Sequence, residues 1–148
     1  MPRARVRDCM TRDPLTLRID DRLREAVELV HERRIRHIPV LDERDRLAGI
    51  VTDRDIRRTL PSPLSSAARE EYEAILETTA VGHVMSREPM TIEADASVAE
   101  AVQILVDSRI GGLPVLENGA LVGIFTERDA LRAYLELMSD LQSATTRQ

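Results

Sequence analysis

Lysine is absent from this chain, cysteine occurs once, and no apolar run approaches the roughly 20 residues needed to span a bilayer. Cys9 alone forms no internal disulfide, which agrees with a reducing compartment. The first residues, Met1-Pro2-Arg3-Ala4-Arg5, carry no apolar signal core, so the expected location is the cytoplasm, with no membrane partner. No Gly-x-Gly-x-x-Gly, Walker loop, Gly-x-Ser-x-Gly or recognisable pair of catalytic carboxylates is present. Catalysis therefore has no visible carrier, and the chain reads as a protein other than an enzyme. Cys9 and His83 lie near equivalent points of two similar segments, but two ligands fall short of the usual four and no Cys-x-x-Cys or His-x-x-x-His accompanies them; no metal site is expected.

All 21 basic residues are arginine, 16 of them before residue 76 against 15 acids, with 5 against 11 afterwards. Arginine's planar fork suits bidentate contacts to phosphate or carboxylate, although genome composition explains a lysine-free chain equally well. A net charge of −5 argues against general affinity for nucleic acid, which depends on counterion release at a basic surface. With 43% hydrophobic and 32% charged residues spread along 148 positions, the chain is globular and long enough for one sizeable core or two small ones.

Laid on itself with a shift of 75, the sequence repeats. Met10 falls on Met85, Pro14 on Pro89, Thr16 on Thr91, Asp20 on Asp95, Glu25-Ala26-Val27 on Glu100-Ala101-Val102, and Pro39-Val40-Leu41 on Pro114-Val115-Leu116. After a one-residue deletion, Gly49-Ile50 falls on Gly123-Ile124, and Thr52, Arg54 and Asp55 on Thr126, Arg128 and Asp129. A period this long means two copies of one supersecondary unit. Each copy opens with a short strand, Leu15 to Ile19 or Met90 to Ala94. A helix follows, with apolar stripes Leu23, Ala26, Val27, Val30 and Val98, Ala101, Val102, Leu105. Ser97 and Glu100 form a capping-box pattern; the first copy has Arg22 there and is expected to use Asp21 instead. Two strands come next, Ile38 to Leu41 with Leu47 to Val51, and Leu113 to Leu116 with Leu121 to Phe125, the second pair joined by the hairpin signal Asn118-Gly119. A last helix starts after Thr52 and after Thr126, so each copy reads β-α-β-β-α. Ser62 to Thr79, with Pro61 and Pro63 at its start, has no counterpart in the repeat and reads as a helical connector.

Three stretches, each present twice, carry a family resemblance: Val-Met-Ser-Arg-Glu-Pro-Met-Thr-Ile (84 to 92), Arg-Ile-Gly-Gly-Leu-Pro-Val-Leu (109 to 116) and Leu-Val-Gly-Ile-Phe-Thr-Glu-Arg-Asp (121 to 129), with partners at 9 to 17, 34 to 41 and 47 to 55. The chain resembles a stand-alone pair of CBS (cystathionine-β-synthase type) domains. The resemblance implies an α/β fold of two tandem β-α-β-β-α repeats packed about a pseudo-twofold axis, with repeat 1 at 6–60, the connector at 61–80 and repeat 2 at 81–138. It also implies a regulatory module with two clefts for an adenosine-containing ligand: AMP, ADP, ATP, an NAD-type or an S-adenosyl compound. No cofactor is required beyond such a ligand. Carried over, one cleft joins Thr52, Arg54 and Asp55 to Thr91, Gly111, Gly112 and Leu113; the other joins Thr126, Arg128 and Asp129 to Thr16, Arg36, His37 and Ile38.

Asp55 and Asp129 can each accept from two ribose hydroxyls, yet each is also the far end of a Thr-x-x-Asp capping box, and the two roles are compatible. Arg36 and His37 stand where phosphate ligands occur in some relatives, while Gly111 and Gly112 carry no charge, so the clefts are unequal and the Asp129 cleft is expected to favour phosphate. His31 reads as a surface residue. The competing reading is a ligand-free dimerisation or interaction module. A homodimer is expected, with Leu131, Leu135, Met138, Ile75 and Leu76 as contributors, alongside a separate protein partner, since no output domain is encoded.

Overall fold

A computed structural model describes residues 4–61 and 66–146. The start of the connector at 62–65, with Pro63, and the terminal residues Met1 to Arg3 lie outside the described residues. In chain order the elements are α1 (Val6–Cys9), β1 (Thr11–Arg12), β2 (Leu17–Arg18), α2 (Leu23–Arg33), β3 (His37–Leu41), β4 (Leu47–Thr52), α3 (Asp53–Thr59), α4 (Ser66–Thr78), a 3-10 turn at Val81–His83, β5 (Ser86–Arg87), β6 (Ile92–Glu93), α5 (Val98–Ser108), β7 (Gly112–Glu117), β8 (Ala120–Thr126) and α6 (Glu127–Thr146). The strand and helix order foreseen for each copy is present, and β1, β5 and the short turns before them are additions.

The chain forms two compact units, Pro14–Pro89 and Met1–Asp13 with Met90–Gln148. Each carries one four-stranded mixed sheet, β2-β3-β4-β5 in the first and β1-β8-β7-β6 in the second. The parallel pairs β2–β3 and β6–β7 are joined through α2 and α5, the long crossovers that parallel strands require. The antiparallel pairs β3–β4 and β7–β8 are hairpins. Asn118 (φ 53°) and Gly119 (φ 81°) both occupy the left-handed region, as a two-residue Asn-Gly turn requires.

Each sheet thus contains the body of one repeat and the lead-in strand of the other. β5, from the second repeat, pairs with β4 through Ile50↔Ser86 and Gly49↔Arg87; β1, from the first, pairs with β8 through Thr11↔Ile124 and Arg12↔Gly123. The same exchange completes the helix starts. Leu23 N donates to the Thr79 carbonyl (2.9 Å) and Val98 N to the Ala4 carbonyl (3.0 Å). For α5 the Ser97 hydroxyl also accepts from Glu100 N (3.0 Å), as its sequence foretold. For α2 the expected cap by Asp21 is absent: its carboxylate accepts from Arg18 N (2.8 Å) in the preceding turn, and Arg22 stands at the N-cap with no side-chain capping bond, its guanidinium donating to the Thr78 carbonyl (3.4 Å). The connector supplies the partner instead.

Both cores follow the apolar stripes. Leu23, Ala26, Ile38, Val40 and Val51 are buried in the first unit; Val6, Ala101, Leu113, Val115 and Phe125 in the second. Leu76 on α4 is 3% exposed and packs in the first core with Ile75 and Tyr72 against it, so Leu76 is a core residue and not a contributor to a dimer face. Arg24 on α2 pairs with Glu73 (2.6 Å) and Glu77 of α4. No described helix is long and apolar enough to cross a membrane.

Candidate functional site

The hairpin β3–β4 sets His37 opposite Thr52 and Ile38 opposite Val51. Asp53 N then donates to the Arg36 carbonyl (3.3 Å), so the segment before Pro39 lies against the first turn of α3. The second unit repeats the join: Gly112 stands opposite Thr126, Leu113 opposite Phe125, and Glu127 N donates to the Gly111 carbonyl (3.0 Å). Arg36, His37 and Ile38 are therefore neighbours of Thr52, Arg54 and Asp55, as Gly111, Gly112 and Leu113 are of Thr126, Arg128 and Asp129. Within each unit the structure groups these residues by repeat, whereas the family pattern was read as crossing repeats. The physical reason is the hairpin, whose two ends must lie side by side.

What crosses between repeats is the lead-in strand. Thr11 on β1 donates its hydroxyl to Asp129 Oδ1 (3.2 Å), a contact that no periodicity in the sequence revealed. The signal was the repeat itself: Thr11 and Ser86 are the hydroxyl residues that follow Met10 and Met85, one on each lead-in strand. Gly123 and Gly49 make room for that strand. A Cβ on Gly123 would meet Met10 Sδ at 2.6 Å and the Thr11 carbonyl at 2.8 Å; on Gly49 it would meet Met85 Sδ at 2.6 Å and the Ser86 carbonyl at 2.7 Å.

Both Thr-x-x-Asp motifs are capping boxes. Asp55 Oδ2 accepts from Thr52 N (2.9 Å) and Thr52 Oγ1 (3.0 Å), and Asp55 N donates to that hydroxyl (3.2 Å). Asp129 Oδ2 accepts from Thr126 N (2.9 Å) and Thr126 Oγ1 (3.1 Å). The two carboxylates differ in what remains. Asp129 is 3% exposed, with Oδ1 taken by Thr11 and 3.8 Å from Arg132 Nη1. Asp55 is half-buried, and its Oδ1 receives no hydrogen bond among the described residues. One open acceptor is thus available at Asp55, while at Asp129 an incoming hydroxyl has to replace Thr11.

Arg36, Arg54 and Arg128 are exposed, and His37 is half-buried. Thr16 precedes β2 and lines an open groove of about 400 Å³ with Asp21, Glu25, Glu28 and Arg33. Burial, then Asp21, raise the Glu25 carboxyl above its ordinary value. Thr91 is half-buried before β6, and His31 is exposed on α2. Burial first, then Glu136, Asp8 and Asp129, raise the Cys9 thiol above its ordinary 9.0, which disfavours the thiolate that a metal ligand needs. Among the described residues no group of three or more His, Cys, Asp or Glu side chains is placed to hold a metal ion.

The CBS domain family model matches residues 6–62 and 81–136. A CBS domain-containing protein of Dictyostelium discoideum is 32% identical over 134 residues, covering 90% of this chain and 92% of its own length. In two other curated relatives the match spans 22% of a longer protein. Among solved structures, CBSX2 of Arabidopsis thaliana in complex with AMP is 26% identical with a TM-score of 0.75, covering 91% of this chain and 98% of that one. The CBS domain pair of protein MJ0100, in complex with 5′-methylthioadenosine and S-adenosyl-L-methionine, is 25% identical with a TM-score of 0.73, covering 90% and 97%. Two family-model matches, and a relative similar over nearly the full length of both chains, place this chain in the CBS domain family, as a pair of CBS repeats.

Proposed function

We propose that this chain is a cytoplasmic regulatory module, not an enzyme, that binds an adenosine-containing ligand at its two strand–helix junctions. The observation that carries the reading is Asp55: a capping carboxylate with one oxygen committed to its helix and the other open beside Thr52 and the segment before Pro39. A vicinal diol presents two donors to such an acceptor. The AMP and S-adenosylmethionine complexes of similar CBS pairs support the same ligand class. At the first junction Arg36, His37, Ile38, Thr52, Arg54 and Asp55 serve, with Thr16 at the strand beside them. At the second, Gly111, Gly112, Leu113, Thr126, Arg128 and Asp129 serve, with Thr91 beside them, and Thr11 yields Asp129 on binding. The ligand acts through its differential affinity for two states of the module.

The module works as a homodimer. Leu131, Tyr134, Leu135 and Leu141 on α6 are 66%, 57%, 66% and 47% exposed, on the face opposite the buried Asp129. A second copy of α6 laid on this face covers the apolar residues of both copies in one shared seam. Mass spectrometry of small molecules released from the purified protein tests the ligand reading: an adenosine compound at stoichiometric amount supports it. If adenosine, AMP, ATP and S-adenosylmethionine all fail to bind the stripped protein at millimolar concentration, the reading is overturned.

A further inference from the structure

The repeat makes the two junctions alike in backbone, but arginine is placed unequally around them. α2 ends at Arg33; Arg34 takes the left-handed cap position (φ 56°), and Arg36 follows it, exposed. The bond from Asp53 N to the Arg36 carbonyl brings this segment against the start of α3. On α3, Arg54, Arg57 and Arg58 fall at i, i+3 and i+4, a single exposed face opposite the buried Ile56. Arg57 has a surface ion pair with Asp53 (3.3 Å), which contributes little. Arg34, Arg36, Arg54 and Arg58 make no ion pair among the described residues. At the matching places in the second unit Arg109, Arg128 and Arg132 remain, but Arg36 and His37 become Gly111 and Gly112, and Arg57 becomes Leu131. Arg132 is drawn toward Asp129, at 3.8 Å.

We infer that the Asp55 junction selects a nucleoside di- or triphosphate, its polyphosphate laid across Arg36, Arg54 and Arg58, while the Asp129 junction takes an adenosyl ligand with one phosphate or none. This rests on the proposed binding of adenosine ligands. Guanidinium groups without carboxylate partners are free to make bidentate, charge-assisted bonds to phosphate oxygens, and several such bonds need several phosphates. The open Oδ1 of Asp55 beside them favours a ribose and repels a continuous phosphodiester backbone, so a nucleotide fits better than a nucleic acid strand. The allocation reverses the sequence expectation of a phosphate preference at Asp129, because Arg36 and His37 stand with Asp55.

Calorimetric titration of the full chain with adenosine, AMP, ATP and inorganic tripolyphosphate, at about 50 and about 300 mM salt, tests the inference. ATP is expected to bind one site per chain at least about tenfold more tightly than adenosine, with the advantage shrinking at the higher salt. Tripolyphosphate should compete with ATP for that site. Substituting both exposed arginines, Arg36→Ala with Arg54→Ala, should abolish the advantage of ATP over adenosine, both measured on that variant, with the circular dichroism spectrum retained. Arg128→Ala should spare the ATP advantage. If adenosine and AMP bind but ATP gains nothing over them, or if the double variant keeps the gain, the charge partition is overturned and the adenosine reading stands. If no nucleoside ligand binds, whether or not tripolyphosphate does, both are overturned together.

Discussion

At Gly123 an added Cβ would lie 2.6 Å from a methionine sulfur and 2.8 Å from the carbonyl of Thr11. The sulfur of Met10 can swing aside, but the carbonyl belongs to β1 and moves only with the strand. Gly123→Ala should therefore cost about 1 to 3 kcal/mol, read as a lower urea midpoint at unchanged slope. A loss of a few tenths would mean that close approach of the strand is not why glycine stands there. Asp129→Ala strips Thr126 N and the Thr11 hydroxyl of their acceptor at a 3% exposed site, whereas Asp55→Ala frees only Thr52. The first should lower the melting temperature more, with about 1 to 3 kcal/mol lost; equal effects would deny the Thr11 bond any weight. Cys9 offers a check by pH. Because burial and three carboxylates raise its pKa, alkylation of the native protein should reach half its limiting rate only above pH 9.0, and a lower midpoint would contradict the environment described.

Among the elements, α4 and α6 carry apolar residues that look alike in sequence and serve opposite ends. Leu76 is 3% exposed and anchors the connector to the first core, so Leu76→Ala should cost about 2 to 5 kcal/mol of unfolding free energy. Leu135 is 66% exposed, so Leu135→Glu should leave monomer stability nearly unchanged and shift the light-scattering mass from dimer to monomer; a monomeric wild type would remove the basis for the seam on α6. The helices were legible because their apolar period of 3.6 is strong and occurs twice, and the hairpins because each is a pair of short apolar runs, present twice, the second pair joined by Asn118-Gly119. The lead-in strands were not. Thr11–Arg12 and Ser86–Arg87 are two exposed polar residues each, too short to show any alternation. The start of α2 was misread for a related reason: Asp21 has the chemistry of a cap, but its carboxylate closes the turn at Arg18, and the bond to Leu23 N comes from Thr79, distant in sequence.

For the whole molecule, the repeat reveals how many units there are and what each contains, but it carries no information about which copy receives which lead-in strand. That choice is a long-range pairing, set by Gly49 and Gly123 and by the bonds at Thr79 and Ala4. It also decides the candidate sites, since it brings Thr11 to Asp129. At Asp129 a helix cap from one repeat meets a strand from the other, and of the two junctions only that at Asp55 leaves, among the described residues, a carboxylate oxygen open beside arginines without ion pairs. Binding at the Asp55 junction is tested by a calorimetric titration of ATP into protein stripped of bound small molecules, for wild type and for Asp55→Ala. Saturable binding to wild type is expected, and at least a tenfold weaker binding of ATP to Asp55→Ala, a loss of about 1.4 kcal/mol or more. ATP affinity left intact by Asp55→Ala would contradict the site, and no binding at millimolar ATP would contradict the ligand.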